Sequence, residues 1–200
     1  MQATTMARAT RRSTQCVGNL ANHLSQTKNK SVTDWIIDQL DVHPYQHILE
    51  IGYASGYTLY EVARKLKIGF LAGIDESVTM YRQAYRRNKK LIADQLLQLH
   101  IGSIHELPYP HHYFHTIYGS NARLIDKELL PVLIQLVGLL KSGGKMAMIF
   151  QPTGVVDEKG VKQFAERIKQ DYLHAGFRNI QIEFGNIHPA SCIAVTGFKD

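Results

Sequence analysis

His47-Ile48-Leu49-Glu50-Ile51-Gly52-Tyr53-Ala54-Ser55-Gly56 decides how this chain is read. A short apolar strand ends in an acid and runs into a turn with small residues at 52, 54 and 56. Directly afterwards Leu59, Val62, Ala63 and Leu66 follow one another at helical spacing. Glycines in such a turn let the backbone approach a ligand closely, and the helix start offers unpaired N–H groups. A strand, a glycine turn and a helix N-terminus in that order form a nucleotide-binding device. A tight strand-to-helix turn that holds no ligand looks the same locally, so the rest of the chain has to decide.

Two phosphate-binding fingerprints do not match. A dinucleotide turn needs G-x-G-x-x-G. Counted from Gly52, its second and third glycine positions hold Ala54 and Tyr57. A P-loop needs Lys after its last glycine, and Tyr57 follows Gly56. Glu50 would repel a pyrophosphate and suits a ligand with a cationic group.

The second apolar run, Phe70-Leu71-Ala72-Gly73-Ile74-Asp75, ends in an acid 25 residues after Glu50. In doubly wound folds an acid about 20 residues on, at the tip of the second strand, holds a ribose diol. Asp75 could instead cap the next helix, which Asp75-Glu76-Ser77 open and Met80, Tyr81 and Ala84 continue. Leu96 to Ser103 form a third strand and turn, and further apolar runs follow near 114–118, 146–150, 180–184 and 193–198. Alternating strands and helices argue for a mostly parallel sheet covered on both faces.

The pattern Glu50-x-Gly52-x-Ala54-x-Gly56 resembles the first motif of class I S-adenosylmethionine-dependent methyltransferases, (Asp/Glu)-x-Gly-x-Gly-x-Gly, with Ala54 for the middle glycine. Leu107-Pro108-Tyr109-Pro110-His111-His112-Tyr113-Phe114-His115 is similar to the family's Leu-Pro-Phe-x-Asp-x-x-Phe-Asp, with His115 for the last acid. Leu140-Lys141-Ser142-Gly143-Gly144 looks like its Leu-Lys-Pro-Gly-Gly, read here as a glycine-closed helix end leading into the fifth strand. The resemblance spans roughly 33–200. It implies a Rossmann-like, doubly wound, mostly parallel seven-stranded sheet with helices on both faces and an antiparallel C-terminal strand.

The same resemblance implies S-adenosylmethionine as cofactor and assigns roles around it. Glu50 and Gly52 would bound the methionine end, and Tyr53, Ala54 and Gly56 would supply the close turn. Asp75 would hold the ribose, with Glu76 and Ser77 beside it. Ser103 and Ile104 would flank the adenine; Ser103 stands where the family usually has Asp, and a hydroxyl gives a weaker contact than a carboxylate. Ser120 and Asn121 follow the fourth strand, where cofactor and acceptor meet, with Arg123 next. Asn121, His105 and His115 are the candidates for a catalytic group.

Charge separates the chain into two parts. Of the net +6, residues 1–30 contribute +5 through Arg8, Arg11, Arg12, Lys28 and Lys30 with no acid. The remaining 18 basic and 17 acidic residues nearly cancel, so the basicity is not a broad nucleic-acid-binding face. Residues 1–30 read as a flexible basic tail leading into a lid helix, and 31–200 as the cofactor-binding domain. An organellar targeting peptide is the other reading of the tail.

The run Tyr81 to Lys90 interleaves Tyr with Arg and Lys, which could grip nucleic acid. It reads more simply as an amphipathic helix with Tyr81 and Tyr85 turned inward. His105, His111, His112 and His115 lack the Cys or carboxylate companions of a zinc site. Cys16 and Cys192 are isolated and read as reduced thiols of a cytoplasmic protein. No apolar run approaches the ~20 residues of a membrane span.

The acceptor is read from what the chain lacks and from its lid. Gly119-Ser120-Asn121-Ala122-Arg123 does not match the Asn/Asp-Pro-Pro-Tyr type motif of many base-amine methyltransferases. The link 151–159 is short, so segments around 17–23 and 31–40, with Trp35, would roof the pocket; Trp35 reads equally well as core. A small-molecule acceptor fits that lid. The alternative is an RNA-modifying methyltransferase or RNA-associated binder using the tail and the 82–90 run. A degenerate fold with weak cofactor binding is a third reading, since Ser103 and His115 replace acids.

Overall fold

The computed structural model describes residues 32–120, 129–150, 158–187 and 190–200. The tail of residues 1–30, Asn121 and Arg123 lie outside them. A helix over residues 32–40 (α1) leads into β1 (His47–Ile51), α2 (Tyr57–Ala63), β2 (Phe70–Asp75), α3 (Val78–Arg87), α4 (Lys89–Ala93) and β3 (Leu97–Ile101). Then come β4 (Phe114–Ser120), α5 (Leu129–Leu139), β5 (Leu140–Phe150), α6 (Glu158–His174), β6 (Arg178–Ile187) and β7 (Ala190–Phe198).

The seven strands form one sheet in the order β3-β2-β1-β4-β5-β7-β6. β1 to β5 are parallel, and β7 lies antiparallel between β5 and β6. This is the doubly wound sheet expected. The order reverses between β1 and β4, the switch point at which such sheets leave a crevice beyond the strand carboxyl ends. Glu50, Asp75, Ile101 and Ser120 all stand at that edge, because the parallel strands end there. His47 and His115 stand at the other edge, where β1 and β4 begin.

Two apolar layers hold the helices on. On one face Leu49, Ile51, Ile117, Met146 and Met148 pack under Leu133 and Leu136 of α5 and Ile168 and Tyr172 of α6. On the other, Ile48, Leu71, Tyr118 and Ala147 pack under α1 (Ile36, Leu40), α2 (Leu59, Val62) and Ala84 of α3. Strand alternation sorts the two sets, so Glu50, between Leu49 and Ile51, belongs to the α1–α2 face.

Three local expectations are corrected. On α3 the residues turned inward are Ala84 and, at its end, Asn88, both buried, whereas Tyr85 is exposed. Packing against the 52–56 turn leaves no room there for an aromatic ring. Gly143 and Gly144 do not close a helix: α5 ends at Leu139, and both glycines lie within β5, where the ladder slips between Phe114/Leu140 and Thr116/Lys145. Helix α2 ends at Ala63, so Leu66 is buried in the following turn.

Candidate functional site

The 52–56 turn is built from left-handed backbone. Gly52, Ala54 and Gly56 have φ of 74°, 47° and 72°. Gly52 N donates to Ile74 O at 2.8 Å and Gly56 N to Tyr53 O at 2.8 Å, which folds the turn back over the tips of β1 and β2. Ala54 thus takes a conformation natural to glycine, and it is exposed.

Asp75 ties this turn to the next helix. Its Oδ2 accepts from Ala54 N at 2.9 Å and its Oδ1 from Ser77 N at 2.9 Å. Ser77 caps α3, its hydroxyl accepting from Met80 N at 3.3 Å. Asp75 is therefore not the cap itself. A carboxylate offers about four lone-pair positions, so two donors leave it capacity for a diol. Glu76 is exposed beside it.

Tyr53 lies differently from its neighbours in the turn. Its ring is buried over Gly73, where a Cβ would stand 2.8 Å from Tyr53 Cδ1, and its hydroxyl donates to His100 O at 3.0 Å. Burial and the nearby Asp75 push that phenol far above its ordinary value. The side chain of Tyr53 is therefore committed to the core and does not face a ligand.

Glu50 is 1% exposed, and Tyr118 OH donates to its Oε2 at 2.8 Å. Burial, opposed in part by that hydrogen bond and reinforced by Asp75, raises its carboxyl to about 8.

The third strand tip is organised by a capping box. Ser103 Oγ accepts from His105 N and Ser103 N donates to Glu106 Oε2, each at 3.3 Å, around the short helical turn Ile104–Glu106. Ile104 is buried, with its carbonyl accepting from Gln135 Nε2 at 3.0 Å. His105 is exposed on that turn, just beyond the carboxyl end of β3. Ser120, half-buried, ends β4.

His115 is not brought to this edge. Its Nδ1 accepts from His47 N at 2.9 Å and its Nε2 lies 3.1 Å from Lys141 Nζ, where β1 and β4 start. Its separation from Glu50 and Asp75 is the length of a strand, about 3.3 Å per residue. His112 approaches Lys199 Nζ at 3.2 Å instead, so the four histidines do not converge. Among the described residues no group of three or more His, Cys, Asp or Glu could hold a metal ion.

Sequence reasoning missed several residues at this edge. Asn88 and Arg87, hidden in the basic run, grip the turn: Asn88 Nδ2 donates to Gly56 O, and Arg87 Nε donates to Ser55 O at 3.1 Å with its guanidinium over the Tyr57 ring. Val78, which opens α3, and Ile101, which ends β3, are exposed apolar side chains suited to a flat apolar ring. Tyr118 is the partner of Glu50: the parallel ladder of β1 and β4 sets the two residues opposite each other, a register the sequence does not display. Trp35, read from the sequence as roof or core, packs from α1 against β6, where a Cβ on Gly185 would meet its ring at 2.8 Å.

The residues present fit a cofactor with a cationic amino-acid end, a ribose and a purine: a buried acid, a left-handed turn, an acid with spare acceptors and two exposed apolar side chains lie in one row. Residues 48–144 match the family model of a methyltransferase domain. The chain is 30% identical over 90% of its length, and 98% of the relative's, to the uncharacterized methyltransferase YdaC of Bacillus subtilis (strain 168). It superposes on a SAM-dependent methyltransferase from Aquifex aeolicus with TM-score 0.67 and 14% identity, covering 84% of this chain and 89% of that one. A Haemonchus contortus phosphoethanolamine N-methyltransferase 2, solved with S-adenosyl-L-methionine, gives TM-score 0.69 and 14% identity over 85% of this chain and 52% of that one. The chain belongs to the class I methyltransferases, whose cofactor is S-adenosylmethionine.

Proposed function

We propose that this enzyme moves a methyl group from S-adenosylmethionine to a small-molecule acceptor by in-line displacement. When bound, the cofactor supplies a methyl carbon already activated by its sulfonium. The chain then has to hold donor and acceptor in line and keep water away. Glu50 and Gly52 bound the cationic end, the 52–56 turn presents its backbone, and Asp75 takes the ribose. Val78, Ser103 and Ile104 bound the purine, and Ser120 at the end of β4 faces the reacting atoms; Asn121, next in sequence, is the acceptor-side candidate.

The observation that carries this reading is the position of Asp75. Its two hydrogen bonds, to Ala54 N and Ser77 N, fix one carboxylate between the glycine turn and α3 at the tip of β2. A small acceptor is supported by the covering of this sheet face, where α1 packs on the core and Trp35 on Gly185 of β6. His105 on the cofactor edge suits proton removal better than His115 on the opposite one. Cys16 and Cys192 stand far apart in the sequence with no metal or redox spacing, which supports a reducing, cytoplasmic setting.

Calorimetric titration with S-adenosylmethionine and its demethylated product tests the reading. Wild type binds both, and Asp75→Ala loses roughly 10–100-fold in affinity, the equivalent of about 1.5–3 kcal/mol for hydrogen bonds to a charged group. Wild type that binds neither ligand refutes the proposal.

A further inference from the structure

The Glu50–Tyr118 pair carries an inference that rests on the cofactor reading and goes beyond it. The carboxyl of Glu50 is buried on β1, and its one hydrogen-bond partner among the described residues is Tyr118 OH on β4. No Lys or Arg among the described residues forms an ion pair with it. Among the described residues, the charged and titratable groups acting on it are Tyr118 and Asp75, one a phenol and the other a second carboxylate. The helices covering this face present apolar residues: Ile36 and Leu40 from α1, Leu59 and Val62 from α2, Ala84 from α3.

A carboxylate without a counter-charge, removed from water and set near another carboxylate, is costly to maintain. We propose that Glu50 stands as a neutral acid in the cofactor-free protein and releases its proton to solvent when the cationic amino-acid end of the cofactor arrives, with Tyr118 as the residue that positions its carboxyl. The O–H bond of Glu50 breaks, the proton goes to buffer, and the carboxylate left behind is paired with the incoming cation. The direction of the Glu50 shift, upward because of burial, agrees. Tyr118 donates to Oε2, so it favours the ionised form and lowers the cost of that step.

Two consequences follow. Cofactor loading is linked to pH through one site, so affinity rises by up to tenfold per pH unit from about pH 6 towards the Glu50 value near 8. Removing the Tyr118 hydroxyl shifts that rise to higher pH.

The experiment is calorimetry of the full chain with the demethylated cofactor at pH 6.5, in two buffers of different ionisation heat. At that pH an α-amino group, which titrates near 8, keeps its own proton. Wild type is expected to release close to one proton per cofactor, Glu50→Gln none. Tyr118→Phe is expected to bind more weakly at pH 6.5 and to approach wild type as pH rises, which mere loss of packing would not produce. Binding without proton release, or equal release by Glu50→Gln, overturns the proposal while leaving the cofactor reading intact. Infrared spectroscopy of the cofactor-free protein supplies a second readout. A protonated-carboxyl band present in wild type and lost in Glu50→Gln supports a neutral Glu50; its absence overturns it. If wild type binds no cofactor at all, the cofactor reading falls and the proposal with it.

Discussion

The buried side-chain amide of Asn88 donates at once to Gly56 O, at 3.0 Å, and to Ala84 O, at 2.9 Å. The end of α3 is thereby fastened to the glycine turn at 52–56. Asn88 is 1% exposed, so neither bond is replaced by water when the side chain is cut back. Asn88→Ala is expected to cost about 1–3 kcal/mol, two hydrogen bonds of ordinary net worth plus the space left behind. Urea titration reads the stability, and calorimetry with S-adenosylmethionine reads the loosened turn as weaker binding. Unchanged affinity would show that the turn holds its shape without this tie.

Gly56 meets the same helix from the other side. A Cβ at this position would lie 2.7 Å from both Ala84 Cβ and Asn88 Nδ2, and its φ of 72° is unfavourable for any other residue. Gly143 has nearly the same φ, 71°, but nothing within 4 Å of a Cβ. The pair separates backbone strain from crowding. Gly143→Ala is expected to lose about 1–2 kcal/mol, the left-handed penalty alone. Gly56→Ala adds an overpacking cost of about 1–3 kcal/mol and weakens cofactor binding, which Gly143→Ala does not. Equal losses in thermal or urea unfolding would argue against the crowding.

Much of this was legible in the residues because parallel strands end together. Once Glu50 and Asp75 were read as strand tips, their meeting at one edge followed from topology, and the matching ladders His47↔Phe70 to Ile51↔Ile74 make it so. What was not legible depends on contacts between distant segments. Asn88 looks like one more polar residue among Arg86, Arg87, Lys89 and Lys90, and only the close approach of Gly56 to Ala84 makes it a buried anchor. His115 reads as a site residue by motif position, yet it starts its strand and so falls at the far edge. Helix α6 is written in the spacing of Val161, Ala165, Ile168 and Tyr172, remote in sequence from the glycine turn.

Glu50 makes the free protein less stable as pH rises. In the unfolded chain its carboxyl ionises near 4.5, but in the folded protein only near 8, so between those values the native state binds the extra proton. Wild-type stability therefore falls relative to Glu50→Gln as pH is raised from 5 to 8, by at most about 1.4 kcal/mol per pH unit, and the difference levels off above 8. Urea unfolding of both proteins at several pH values, without cofactor, checks the slope. Parallel curves would mean that Glu50 is ionised in the native state.

The sign reverses for three histidines, because burial lowers the value of a base where it raises that of an acid. His47, His100 and His115 are all held below the ordinary histidine value, first by burial, and for His47 and His115 also by the Lys141 ammonium. His115 Nδ1 accepts from His47 N, so a proton there would set two donors against each other. The unfolded chain thus binds more protons than the native state once pH drops below about 6.5, and stability falls with it. Above that value the histidines add no slope. Working in the Glu50→Gln background removes the opposing carboxyl, and unfolding midpoints between pH 7.5 and 5 should then decline steadily. Lys141→Gln should make the decline shallower, because it relieves His47 and His115, but should not abolish it, because His100 owes its shift to burial alone. A decline unaffected by Lys141→Gln would place the acid sensitivity away from the β1–β4 edge.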